Sequence, residues 1–409
     1  MIQKIVMKNI LNKNIRDFSV YTFAFGLYIF SQQVLIMPII SRNTNEKIFS
    51  EIILFITFFN IFCIVIGDEL SNTRIARNKV YDKKYADGDF FYLLFFLTIC
   101  LIFLVIIANI FINISWLKIF IFCLIISLGV SRYFLMSFYK IDQKFKSILK
   151  ANMCYLFGSI CGLFLFFNYQ LLYAPFLVAE ILSILFICLD LFYLNKHSIT
   201  FERTREFENT KKMFSDLSIT AIIINLISYM DRVIILPILG ASSMAIYFSA
   251  SSTSKILALI ANPLSSFLLS KMGTNDNLDK KNTLRFAIKY FLPMIIVFFS
   301  ASLILCFIAI NFLYPQYYFP AINLIYPISL AVSLSLVNIL FKPFLILTVK
   351  SKLVLYSNIF YALTFMLSIY PMVYFGGLYG FACSVALGRL IQLLCYIKII
   401  FKKNYKIAN

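Results

Sequence analysis

Five basic side chains lie deep inside segments that are otherwise almost wholly apolar: Arg132, Arg232, Lys255, Lys342 and Arg389. A charge at the centre of a bilayer costs at least ~2.5–3.5 kcal/mol, so each needs a compensating partner or water. Acids near enough to neutralise them are few. Glu180 stands near the middle of one apolar segment, Asp231 precedes Arg232, and Glu51 and Asp190 lie near segment ends. This excess of bases describes a cationic cavity whose natural occupant is an anion. The bases would hold it, Arg by bidentate contacts and Lys as a point charge. Glu180 is either a coupling group, since a carboxyl in an apolar span can change charge at an accessible pH, or half of a buried pair with one of the bases. Asp231 is the second coupling candidate and can also orient or neutralise Arg232.

Helical periodicity assigns these charges to faces. Ser218, Ala221, Asn225, Ser228 and Arg232 recur at +3/+4 spacing; Ser251, Lys255, Ala258, Asn262 and either Ser265 or Ser266 repeat the pattern. Ala331, Ser335, Asn338 and Lys342 form a third stripe, and Ala382, Ala386, Arg389 and Gln392 a fourth. Small residues at such spacing also let transmembrane helices pack closely. A Lys or Arg on the same stripe shifts the balance toward lining water, so Asn225, Ser228, Ser251, Asn262 and Asn338 are expected to line the cavity. Arg132, with Ser127 and Ser131, forms no comparable face; it either joins the anion site or snorkels to the headgroups. Asn262-Pro263 and Lys342-Pro343 free backbone carbonyls, which is tolerated only against protein or water.

The elements that must carry these residues are membrane helices. Of 409 residues, 61% are hydrophobic and 13% charged, with mean hydropathy +0.88. Apolar runs fall near 17–40, 48–67, 90–113, 117–139, 151–168, 171–194, 215–239, 243–269, 286–312, 321–347, 353–374 and 377–400. Each approaches the length that crosses ~30 Å of hydrocarbon as helix. Of the 37 Lys and Arg, 28 fall in the N-terminal segment, the even-numbered connections and the C-terminal tail, against 3 in the odd-numbered connections. By the positive-inside rule this predicts an all-α polytopic membrane protein of twelve helices with both termini cytoplasmic. The basic segment 1–16 is expected to lead into an uncleaved first helix.

Composition narrows the function classes. The net charge of +19 is explained by the cytoplasmic connections, so no nucleic acid partner is expected. The nine cysteines fall singly within spans and His197 is the only histidine, which speaks against a metal site or a disulfide framework. No GxxxxGK[ST] or GxGxxG signature occurs, and no cofactor is expected. A membrane glycan polymerase or ligase is disfavoured because no large outer loop is present to carry catalytic Arg and His. The chain reads as a transporter, not an enzyme.

An internal repeat divides the chain into six-helix halves, 1–200 and 201–409. At a constant offset of 199, Val34, Ile36, Pro38 and Ile39 meet Val233, Ile235, Pro237 and Ile238, and Phe49-Ser50 meets Phe248-Ser249. Halves of six helices share orientation, the parallel-repeat plan of transporters whose halves rock for alternating access.

The architecture, the first-span ending Pro-Ile-Ile-Ser-Arg (38–42) and the run Asp-Arg-Val-Ile-Ile (231–235) with Gly240 and Tyr247 after it resemble the polysaccharide repeat-unit flippases of the multidrug/oligosaccharidyl-lipid/polysaccharide exporter superfamily. Where that family usually has glycine before the tyrosine, this chain has Ile246. The resemblance implies movement of an undecaprenyl-diphosphate-linked oligosaccharide, of O-antigen, capsule or similar type, from the inner to the outer leaflet of the bacterial cytoplasmic membrane. It implies partners among membrane lipids and other glycan-assembly proteins. Outward transfer of each negative charge releases about 2.3 kcal/mol per 100 mV of inside-negative potential. The rival within the same superfamily is a cation-coupled multidrug exporter, whose cavity should be acid-lined; here bases outnumber acids.

Overall fold

The computed structural model describes residues 19–78, 87–112, 115–194, 203–252, 257, 261, 265, 280–348 and 351–407. Among them the chain is helical almost throughout. Hydrocarbon offers the backbone no hydrogen-bond partners, so each apolar run must satisfy its own N–H and C=O groups. The helices are α1 Ser19–Asn43, α2 Glu46–Arg77, α3 Gly88–Ile112, α4 Trp116–Ile141, α5 Phe145–Tyr169, α6 Ala174–Cys188, α7 Phe207–Ser251, α8 Lys280–Leu313, α9 Ile325–Thr348 and α10 Ser351–Ile407. Ten stretches among the described residues are long and apolar enough to cross a membrane. The protein is a multi-pass membrane protein.

Two of these helices are broken by glycine. Gly240 in α7 has φ 81° and Gly377 in α10 has φ 52°, left-handed values that side chains disfavour. The two arms of α10 run antiparallel: Asn358 meets Gln392, Phe365 meets Phe381, and Gly380 abuts the carbonyl of Met372. In α7 the break returns Phe248 to Arg232 and Tyr247 to Asp231. The sequence gaps at 239/243 and 374/377 fall at these glycines. Three helices also contain π-helical stretches: Phe30–Ile36 in α1, Cys63–Asp68 in α2, and Leu189–Leu194 continuing α6. Such widened turns recur at functional sites; the one in α1 buries Ser31, Gln32 and Gln33.

The chain forms two compact units, the first of residues up to Ile40 with Leu54–Ser228, the second of Ser41–Ile53 with the residues from Tyr229 onward. In the first unit the contact of α5 with α6 is made backbone to backbone. A Cβ at Gly158 would lie 2.7 Å from the Cα of Ala179, and one at Gly162 would lie 2.5 Å from the carbonyl oxygen of Ala174. The Gly-x-x-x-Gly spacing thus lets α6 approach until Glu180, next to Ala179, reaches the interior. Gly158→Leu is expected to force the helices apart and lower the melting temperature of the purified protein, an overpacking cost of about 1–3 kcal/mol or more. Gly26→Leu, whose Cβ meets nothing within 4 Å, is the control and should melt as the parent does.

Charged ends of the first unit are tied together. Arg74 donates to Asp87 at 2.6 Å and lies 3.6 Å over the Phe138 ring, while Lys140 pairs with Asp68 at 3.0 Å. The segment entering α7 is held by Arg77–Glu206 at 2.5 Å and by Thr204, which donates to Asp89 from its hydroxyl at 2.6 Å and its backbone at 2.7 Å. The Asn209 amide and then Arg77 hold the Glu206 carboxyl below its usual range.

Candidate functional site

Among the described residues each unit holds an arginine buried within its apolar spans, Arg132 and Arg232, and their surroundings differ. In the first, Arg132 on α4 is 2% exposed and Glu180 on α6 is 0% exposed, which leaves both dependent on each other. Arg132 donates from Nε to Glu180 at 2.7 Å and from Nη2 at 3.1 Å, a two-pronged ion pair. Three tyrosine rings surround the guanidinium: Tyr28 at 4.5 Å, Tyr133 at 4.9 Å and Tyr155 at 5.0 Å from the ring centroids. Cation–π attraction of this kind strengthens once water is excluded. Gln32, in the π stretch of α1, donates to the hydroxyls of Tyr28 at 2.8 Å and Tyr155 at 3.2 Å. The charge of Arg132 is therefore neutralised locally.

The second centre is Arg232, 6% exposed. The reversal at Gly240 sets its guanidinium 5.1 Å from the Phe248 ring, and Tyr229 lies 5.4 Å away. Its Nη1 is buried and has no hydrogen-bond partner. Asp231 accepts the backbone N–H of Arg232 at 3.0 Å through Oδ1. A buried guanidinium edge with an unused donor is costly unless a ligand oxygen meets it.

A second base lies in the same unit. Arg389, on the second arm of α10, lies 4.2 Å over the Tyr361 ring and donates to Gln392 Oε1 at 3.1 Å. Tyr247, brought back by the break at Gly240, meets the carboxylate of Asp231. Asn338 on α9 donates to Gln392 Oε1 at 3.1 Å and to the carbonyl of Arg389 at 3.3 Å, while Gln392 donates to Asn358 at 2.6 Å. The Oδ1 of Asn338 is buried without a partner. Arg389, Gln392, Asn338 and Asn358 thus form one hydrogen-bonded group in the second unit, with the Tyr361 ring under Arg389.

Other sequence-selected residues lie elsewhere. Asn225 is half-buried and donates to the carbonyl of Ala221 at 2.9 Å, a bond within its own helix. Ser251 is buried and donates to Phe248 O at 3.4 Å. Lys255 and Asn262 lie outside the described residues, as do the side chains of Ser228 and Lys342. Periodicity did not single out Tyr28, Tyr133 and Tyr155 around Arg132, nor Tyr361 and Asn358 around Arg389. The one available cue was Gln32-Gln33, two amides in an otherwise apolar span.

No known sequence family matches the chain, and no curated protein matches it. Solved structures do match in fold. The lipid II flippase MurJ in an inward closed conformation aligns with TM-score 0.69 at 15% identity, over 95% of this chain and 86% of that one. An inward-facing multidrug resistance MATE transporter of the MOP superfamily aligns with TM-score 0.62 at 13% identity, over 96% and 94%. A MATE protein in the bent conformation gives TM-score 0.59 at 12% identity, over 96% and 95%. The chain has the all-helical fold shared by these transporters.

Proposed function

We propose that this protein is a flippase that carries an undecaprenyl-diphosphate-linked oligosaccharide, of O-antigen, capsule or similar type, from the inner to the outer leaflet of a bacterial cytoplasmic membrane by alternating access. The observation that carries the reading is the unpartnered Nη1 of buried Arg232, in a unit that carries a second guanidinium, Arg389, on the second arm of α10. A diphosphate offers the oxygens that these groups lack, and its transfer outward is favoured by an inside-negative potential. Lys255 and Lys342 are proposed to add to the same site, with Asn225, Ser228, Ser251, Asn262 and Asn338 contacting the sugars. Arg132 is the weakest of the proposed phosphate contacts, because Glu180 already satisfies it.

For coupling, Asp231 has the better geometry of the two proposed carboxyls. It adjoins Arg232 and meets Tyr247, whereas protonation of Glu180 would strand Arg132. The fold of the lipid II flippase supports a lipid-linked substrate in general. A second reading, a cation-coupled multidrug exporter, is favoured by length: this chain spans 94–95% of the MATE chains given above but 86% of the flippase. Complementation in cells decides between them. Loss of the protein should remove a surface glycan while leaving resistance to cationic drugs unchanged. Restoration by Arg389→Ala at normal protein level would remove the anion-site argument.

A further inference from the structure

A second buried donor stands beside Arg232. Tyr314 lies where α8 ends: its N–H closes the last turn on the carbonyl of Ile310 at 3.0 Å, and Pro315 after it has no N–H to continue the helix. Tyr314 is 0% exposed, and its hydroxyl has no hydrogen-bond partner among the described residues. The Ser252 hydroxyl lies nearby, yet it donates to the carbonyl of Ser249 at 2.9 Å.

Phe248 joins the two donors. Its ring is 5.1 Å from the Arg232 guanidinium carbon and 6.4 Å from the Tyr314 ring, which it meets edge to face at 88°. Phe49 packs on both rings, 5.8 Å from Phe248 and 6.4 Å from Tyr314, and holds the phenol in place. Arg232 is a charged neighbour of Tyr314. The acid next to Arg232 is engaged elsewhere, for Asp231 accepts the backbone N–H of Arg232 and meets Tyr247. Two donors in one place are thus buried without acceptors, which is costly unless a ligand or an ordered water meets them. A phosphate satisfies both, because its oxygens accept and its charge complements the guanidinium.

We infer that the Tyr314 hydroxyl is a substrate-binding donor that, together with Nη1 of Arg232, holds a phosphate oxygen of the transported lipid diphosphate. The inference rests on the flippase reading above. It adds to the anion site a neutral donor from α8, far in sequence from any of the bases selected by periodicity.

Calorimetric binding of inorganic diphosphate to the purified full chain in detergent tests this, with thermal unfolding of the same samples. Tyr314→Phe keeps the ring and removes only the hydroxyl. It is expected to weaken diphosphate binding about tenfold, the worth of one hydrogen bond to a charged group, while the melting temperature holds or rises. In an Arg232→Ala background the same change should have little further effect, because both donors serve one anion. Diphosphate binding that falls in Arg232→Ala but stays at the parent's level in Tyr314→Phe would overturn the inference alone, leave the hydroxyl to water and keep the flippase reading. Weaker binding of Tyr314→Phe that comes only with a lower melting temperature would also overturn it and assign the hydroxyl to Ser252. So would displacement of diphosphate by phosphatidylglycerol at equal concentration, which would make the pair a site for bulk headgroups. If diphosphate binds equally to the parent and to Arg232→Ala, the anion site itself fails and takes the role of Tyr314 with it.

Discussion

Glu180→Leu is expected to destabilise the first unit by about 3–5 kcal/mol, the cost of leaving a buried charge without its partner. Arg132 is 2% exposed, so water cannot replace the lost carboxylate, and the three tyrosine rings supply attraction but no hydrogen-bond acceptor directed at both nitrogens. The double variant Arg132→Met with Glu180→Leu removes both charges and should recover most of the loss, since a buried ion pair and a packed apolar pair of similar volume are often near parity. Thermal unfolding of the purified single and double variants checks this. A double variant as unstable as Glu180→Leu would show that the pair is not the unit of stability, and an unchanged Glu180→Leu would show that Arg132 has another partner.

Arg232→Ala is expected to behave in the opposite way. Its Nη1 makes no hydrogen bond, so truncation removes an unsatisfied buried donor and the melting temperature should hold or rise. Transport should nonetheless fall about 10- to 100-fold, the worth of one or two charge-assisted hydrogen bonds at about 1.5–3 kcal/mol. Stability kept with function lost marks a residue held for its ligand. The comparison of Glu180→Leu with Arg232→Ala therefore separates a base that holds the fold from the base proposed to meet an anion. A stability loss in Arg232→Ala as large as that in Glu180→Leu would place both arginines in the first class.

Much of this was legible in the chain. Hydropathy places the helices because the bilayer demands unbroken apolar runs of a fixed length. The breaks at Gly240 and Gly377 also lie where the apolar runs stop. The stripe containing Ala382, Ala386, Arg389 and Gln392 links Arg389 to Gln392 because one helical turn joins them, and the structure adds a hydrogen bond between them at 3.1 Å. What periodicity does not carry is pairing between helices. Arg132 and Glu180 are 48 residues apart, and nothing local selects Glu180 over the other acids. The close approach that unites them depends on Gly158 and Gly162, whose meaning appears only once α6 is seen against α5. The π stretches likewise lack a local signature; they follow from how neighbouring helices pack, not from the residues within them. In the second unit the aromatic partners of the arginines are hidden among 46 Phe and 25 Tyr, so residue type alone could not pick out Phe248 or Tyr361.

The central claim is that the protein moves an anionic, lipid-linked glycan, and one measurement addresses it directly. The purified chain is reconstituted in liposomes that contain a fluorescent undecaprenyl-diphosphate oligosaccharide on the inner leaflet, and arrival of the label at the outer leaflet is read with an impermeant quencher. Protein-dependent transfer is expected, faster with a potential that is positive on the receiving side and about 10- to 100-fold slower with Arg232→Ala. Transfer no faster than in empty liposomes, together with export of a cationic dye by the same vesicles, would contradict it.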